Sequence, residues 1–125
     1  MARFLLVHGS NHGAWCWRDL VAALDRLGHG TRALDLPSVS PDPATLTQVT
    51  LDDDATAIAQ ALTEPTVLVG HSAAGFAINR AAQLAPGQVT ALVYLCAYVP
   101  RPGASVATLA KEAPGNPLAG ALEVD

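Results

Sequence analysis

Ser72 sits in the stretch Val69-Gly70-His71-Ser72-Ala73-Ala74-Gly75, between the apolar run Thr66–Val69 and a segment with helical spacing. A serine at a strand-to-helix reversal, with small residues two before and two after it, suits a nucleophile. Strand and helix can then approach closely, the backbone at the serine is strained, and the hydroxyl stands above the sheet. The chemistry would be attack on a carbonyl carbon. The next amide, that of Ala73, lies at a helix start and can stabilise negative charge on the carbonyl oxygen. A second donor is expected from the loop His8-Gly9-Ser10-Asn11-His12-Gly13, which follows the first apolar run. Gly9 permits tight backbone approach, and the Ser10 amide is the candidate. Losing one such donor typically costs about 2.7–4 kcal/mol of transition-state stabilisation. A serine in such a turn also serves as a plain tight turn and helix cap. The His-Gly pair after the first strand favours the nucleophile.

A serine hydroxyl needs a base to remove its proton. The four histidines fit that role poorly. His71 adjoins Ser72, but neighbouring side chains leave the turn in different directions, so packing beneath the turn is expected. His8 ends the first strand and is expected to support the oxyanion loop by hydrogen bonding. His12 has two readings, pocket lining or helix cap, and is the one candidate for a polar substrate contact. His29, between Gly28 and Gly30, reads as an exposed turn residue.

The elements that must position these groups follow from periodicity. Phe4–Val7 read as a buried strand. Residues 16–27 repeat apolar positions at helical spacing through Leu20, Leu24 and Leu27, and Gly28 and Gly30 stop the helix. Trp15 and Trp17 are expected to pack this helix. Residues 31–36 form a short strand closed by Pro37, and residues 37–49, with three prolines, read as a surface loop. Thr50 and Asp53 form a capping box for a helix reaching Leu62. Thr66–Val69 are a strand, residues 73–84 a helix, Val89–Tyr94 a strand, and residues 104–113 a short helix. Strands apolar on both faces, alternating with helices, predict an α/β fold: a three-layer sandwich around a mainly parallel sheet. Reactive loops belong at the carboxyl ends of such strands, where Gly9 and Ser72 fall.

Composition narrows the partners. The chain has 125 residues, half of them hydrophobic and 14% charged, which suits a globular domain. Its net charge is −4 and its seven Lys and Arg are scattered, so no nucleic-acid partner is expected. No apolar run approaches the roughly 18 residues of a membrane span, and the opening MARFLLVHG is too short for a signal peptide. Two cysteines, Cys16 and Cys96, do not make a stapled scaffold, and a reducing, cytoplasmic setting is expected. The glycines after the first strand lack the GxGxxG spacing, which speaks against a dinucleotide. No cluster has metal-ligand spacing, so no metal or cofactor is expected.

The segments HGSNHGAWCW, GHGTRALDLP and VGHSAAG together resemble the α/β-hydrolase superfamily. Within it they are similar to the branch of plant methylesterases, salicylate-binding esterases and hydroxynitrile lyases. The similarity covers nearly all of residues 3–100, and HGAWCW at residues 12–17 is its sharpest part. By position it implies Ser72 as nucleophile, with Ser10 and Ala73 as oxyanion donors. Gly9 matches a substrate-site position that separates two chemistries in this branch, while His12 stays the candidate polar contact read from the loop itself. The lyases tend to place threonine where this chain has Gly9, and often Glu where it has His71, so the resemblance implies ester hydrolysis of a small-molecule substrate. One departure is Ala74, where the family commonly has glycine; its methyl must fit or the turn shifts.

In this superfamily the triad runs Ser, acid, His along the chain. No histidine follows Ser72 here. The resemblance therefore implies that residues 1–100 are the N-terminal part of the hydrolase core and residues 101–125 the start of a cap insertion. The triad acid and histidine would lie beyond them. The 125-residue piece alone is expected to be inactive, completed by the missing half of the fold or by homo-oligomerisation. Two alternatives stand beside the esterase: a hydroxynitrile-lyase-like enzyme, and a non-catalytic binding protein on the same scaffold.

Overall fold

A computed structural model describes residues 1–113 and Gly115. The strands are β1 (Arg3–Val7), β2 (Gly30–Leu34), β3 (Thr66–His71) and β4 (Val89–Leu95). The helices are α1 (Arg18–Arg26), α2 (Pro43–Leu46), α3 (Leu51–Ala61), α4 (Ala74–Leu84) and α5 (Val106–Glu112). The four strands form one sheet in the order β2-β1-β3-β4, and every pairing is parallel.

Side-chain alternation divides the core between the two faces of the sheet. Leu5, Val7 and Leu68 point to one face, where they meet Ile58 of α3 and Ile78 of α4. Leu6 and Val69 point to the other, against Trp17 and the partly buried Val21 of α1. The expected three-layer α/β sandwich is present. Leu6, Ile58, Leu68 and Ile78 are fully buried, each worth roughly 1.5–3 kcal/mol of apolar transfer.

The strand order explains where the site falls. From β1 the chain crosses to β2 on one side, and later crosses back to β3 on the other. The order therefore reverses between β1 and β3. Loops leaving two such strands diverge to opposite faces and leave a crevice at their carboxyl ends. Gly9 and Ser10 follow β1, and Ser72 and Ala73 follow β3.

Several elements differ from expectation. The helix expected from residue 16 begins as a 3-10 turn over Ala14–Trp17, with the Cys16 amide donating to the Gly13 carbonyl at 3.1 Å. The turn drives Trp17 into the core and leaves Trp15 70% exposed, so only one tryptophan packs as expected. The loop at 37–49 contains a 3-10 turn at Pro37–Val39 and the one-turn α2. Asp42 caps α2 through the Ala44 amide, with Pro43 at its first position. β2 ends before Asp35, and β3 runs on to His71. His29 is half-buried rather than exposed: its Nδ1 accepts the Ala2 amide at 3.1 Å, and its ring meets the Phe4 ring edge-on. The Thr50–Asp53 capping box forms in both directions.

β2 and β4 are the sheet edges among the described residues. On the α1 side of β4, Val93 and Leu95 are each 42% exposed. Among the described residues, no helix is long and apolar enough to cross a membrane. Both cysteines are free thiols.

Candidate active site

Ser72 lies in the reversal between β3 and α4 with φ at +54°, in the left-handed region that non-glycine residues seldom enter. Its carbonyl oxygen accepts two amides, Gly75 at 3.2 Å and Tyr98 at 3.1 Å. The first bond turns the chain into α4. The second ties the turn to the segment that follows β4. Serine is thus held in strained geometry from inside its own turn and from a remote strap.

The close approaches that this turn demands fall on glycines. A Cβ on Gly70 would sit 2.9 Å from Ile78 Cδ1 and 3.1 Å from the Ala74 carbonyl oxygen. A Cβ on Gly75 would overlap the Tyr98 carbonyl oxygen and stand 2.9 Å from its carbon. Ala74 is different. It is 2% exposed and its methyl belongs to the core cluster with Ala77 and Ile78. The turn accommodates that methyl.

Gly9 is buried where the loop after β1 touches the Ser72 turn. A Cβ there would stand 2.9 Å from both the His71 carbonyl oxygen and Ser72 Cβ. Such distances are below ordinary contact, so a side chain at Gly9 would displace the serine itself.

His8 orients the loop after β1. It is 1% exposed. Its Nε2 accepts the Leu36 amide at 3.1 Å, so that nitrogen carries no proton. The proton is on Nδ1, which donates to the Gly9 carbonyl oxygen at 2.8 Å. His8 is therefore a neutral imidazole with both nitrogens engaged, and cannot serve Ser72 as base. Its bond has a geometric consequence. The Gly9 carbonyl and the Ser10 amide share one trans peptide unit, in which C=O and N–H point in opposite directions. By holding one, His8 sets the direction of the other.

His12 makes the next bond along. Its Nδ1 donates to the Ser10 carbonyl oxygen at 2.9 Å. Its ring stacks on Trp15 with centroids 5.6 Å apart and meets the His71 ring edge-on at 5.9 Å. Asn11, with φ at +59°, turns the loop between these contacts. The Ser10 and Ala73 amides donate to no acceptor among the described residues. Both remain available to a ligand oxygen.

A cavity of about 480 Å³ opens beside these two amides, bordered by Gly9, Ser10, Ala73, Asp54, Phe76 and Val106. His12 does not border it. It lies with Trp15 and Asp35 on a separate cavity across the loop. The structure thus brings Gly9, Ser10, Ser72 and Ala73 together and sets His12 behind the loop. Ser72 Oγ has no hydrogen-bond partner among the described residues. Partial burial pushes the Cys16 thiol up from its ordinary value.

Sequence reasoning missed Tyr98, Leu36 and Asp54. Each acts through a contact distant in sequence. Only the helical spacing after Thr50 carried a trace, since it puts Asp54 on the same helix face as Ile58.

His8→Leu is expected to cost about 3 kcal/mol of folding stability, because it leaves the Leu36 amide and the Gly9 carbonyl buried without partners. Urea unfolding measures it. A loss below about 0.5 kcal/mol would remove His8 from its place in the loop.

The sequence profile of the alpha/beta hydrolase family matches residues 4–124, and the chain belongs to that family. Esterase PIR7B of Oryza sativa subsp. japonica is 42% identical over 104 residues, covering 78% of this chain and 39% of that protein. Methylesterase 7 of Arabidopsis thaliana is 34% identical over 105 residues, covering 78% of this chain and 40% of that protein. The crystal structure of polyneuridine aldehyde esterase superposes with a TM-score of 0.77 at 29% identity, covering 90% of this chain and 46% of that one. The chain thus spans about two-fifths of the length of the curated relatives it matches.

Proposed function

We propose that the protein carrying this sequence is a serine hydrolase acting on carboxylic esters. Ser72 Oγ attacks the acyl carbon, a histidine outside the described residues takes its proton, and an acid orients that histidine. The Ser10 and Ala73 amides hold the oxyanion. Collapse of the tetrahedral intermediate expels the alcohol and leaves an acyl-serine, which water then hydrolyses to the acid. The observation that carries this reading is the pair of unspent amides flanking a strained serine at one crevice. The esterase names of the relatives support it, as does the resemblance to methylesterases. The exposed Val93 and Leu95 on edge strand β4 support a further part of the reading, that more polypeptide packs there to complete the active enzyme.

Gly9 favours ester hydrolysis over cyanohydrin cleavage on this scaffold. It offers no side-chain hydroxyl, and the contacts around it leave no room for one. Parallel assays on p-nitrophenyl acetate and mandelonitrile decide the matter, using the longest polypeptide that carries this sequence. Ester turnover without cyanide release is expected. Rapid cyanide release with negligible ester turnover would overturn the esterase assignment while leaving the site in place.

A further inference from the structure

We infer that Asp54 is a specificity-determining residue, whose carboxylate selects substrates carrying a cationic or N–H-bearing nitrogen on the part that fills the cavity beside Ser10 and Ala73. The inference rests on the ester-hydrolase reading of that site and adds the chemical class of the substrate.

Asp54 is on α3 but is not needed to cap it. Asp53 already takes the Thr50 amide at 2.8 Å, and Asp52 pairs with Arg80 at 2.8 Å. Asp54 itself is only 8% exposed. One of its carboxylate oxygens accepts the Ser38 amide at 3.0 Å. The other has no hydrogen-bond partner among the described residues, and Asp54 enters no ion pair there. That second oxygen is not sealed in the core, so it is open to a donor. The cavity is what it faces.

Among the described residues, the rest of the cavity wall adds no Lys or Arg. Among those residues, His8 is the other titratable group on the wall, and both of its ring nitrogens are already engaged in hydrogen bonds. Leu36, Phe76, Ala77 and Val106 supply apolar wall. An occupant with an apolar body and a protonated amine or other N–H donor would satisfy both surfaces. An anionic occupant would meet an uncompensated carboxylate. Charge-assisted hydrogen bonds of this kind discriminate by about ten- to a hundredfold.

A merely structural Asp54 would pin the turn at Ser38, and asparagine can do that equally well. Asp54→Asn keeps an oxygen for the Ser38 amide and removes the charge. Binding of phenethylammonium and of 3-phenylpropanoate is measured by NMR titration on the longest polypeptide carrying this sequence, in a Ser72→Ala background. Phenethylammonium should bind at least about tenfold tighter, with shifts at Phe76 and Ala77, and Asp54→Asn should bring the two within about threefold. No preference, or one that survives Asp54→Asn, would overturn the inference. Separately, with Ser72 intact, p-nitrophenyl 4-(aminomethyl)benzoate is compared with p-nitrophenyl 4-ethylbenzoate. Turnover of both with no binding preference upholds the hydrolase and overturns the role of Asp54. An Asp54-dependent preference with no turnover of either ester upholds Asp54 and sinks the hydrolase.

Discussion

Ser72→Ala is expected to lower kcat for p-nitrophenyl acetate by about 10⁶-fold in the longest polypeptide carrying this sequence. The variant removes the attacking atom and leaves the Ser10 and Ala73 amides in place, so a residual rate above water should persist. Folding stability should change by less than about 0.5 kcal/mol, because alanine meets the same strain as serine at φ +54°. The pairing of the two readouts matters. A large loss of activity with unchanged unfolding places Ser72 in the chemistry. A small loss of activity would mean that another group attacks.

Gly75→Ala should do the reverse, damaging the fold first. Its new methyl would overlap the Tyr98 carbonyl oxygen, and both groups are backbone-anchored. The strap cannot swing aside without also breaking the bond from the Tyr98 amide to the Ser72 carbonyl. Forcing an extra methyl into such a contact costs about 3 kcal/mol. Any relaxation that relieves it moves the serine, and a shift near 1 Å costs on the order of 10²-fold in rate. Urea unfolding and ester kinetics on the same preparation measure both effects. Wild-type stability with wild-type activity would show that Tyr98 does not clamp the turn.

The fold and the centre of the site were legible for different reasons. Continuous apolar runs mark β1, β3 and β4, and helical spacing marks α3 and α4, whose apolar faces pack on the sheet. The Ser72 turn is legible because its demands are local: an apolar run, a glycine two residues before the serine, and a helix directly after. The Thr50–Asp53 box is local in the same way. What escaped is what depends on long-range contact. Ala74 drew attention because glycine is usual there, yet its methyl packs into the core. At the helix start it is the next residue, Gly75, that leaves no room for a methyl, because of Tyr98, which arrives from beyond β4. His12 reads from its neighbours as a pocket residue, but its bond to the Ser10 carbonyl and its stacking on Trp15 hold it across the loop. The 3-10 turn at Ala14–Trp17 was hidden because an exposed and a buried tryptophan two residues apart look alike in composition.

The most direct measurement is labelling by a fluorophosphonate, read by intact mass and by mapping the modified peptide. A phosphonyl fluoride reacts with a serine hydroxyl only where a base removes its proton and donors stabilise the charge on phosphorus-bound oxygen. The account predicts one label on the longest polypeptide carrying this sequence, located at Ser72, absent in Ser72→Ala, and slowed by mutation of the histidine that completes the site. A label on any other residue, or none on a protein that turns over p-nitrophenyl acetate, would contradict it.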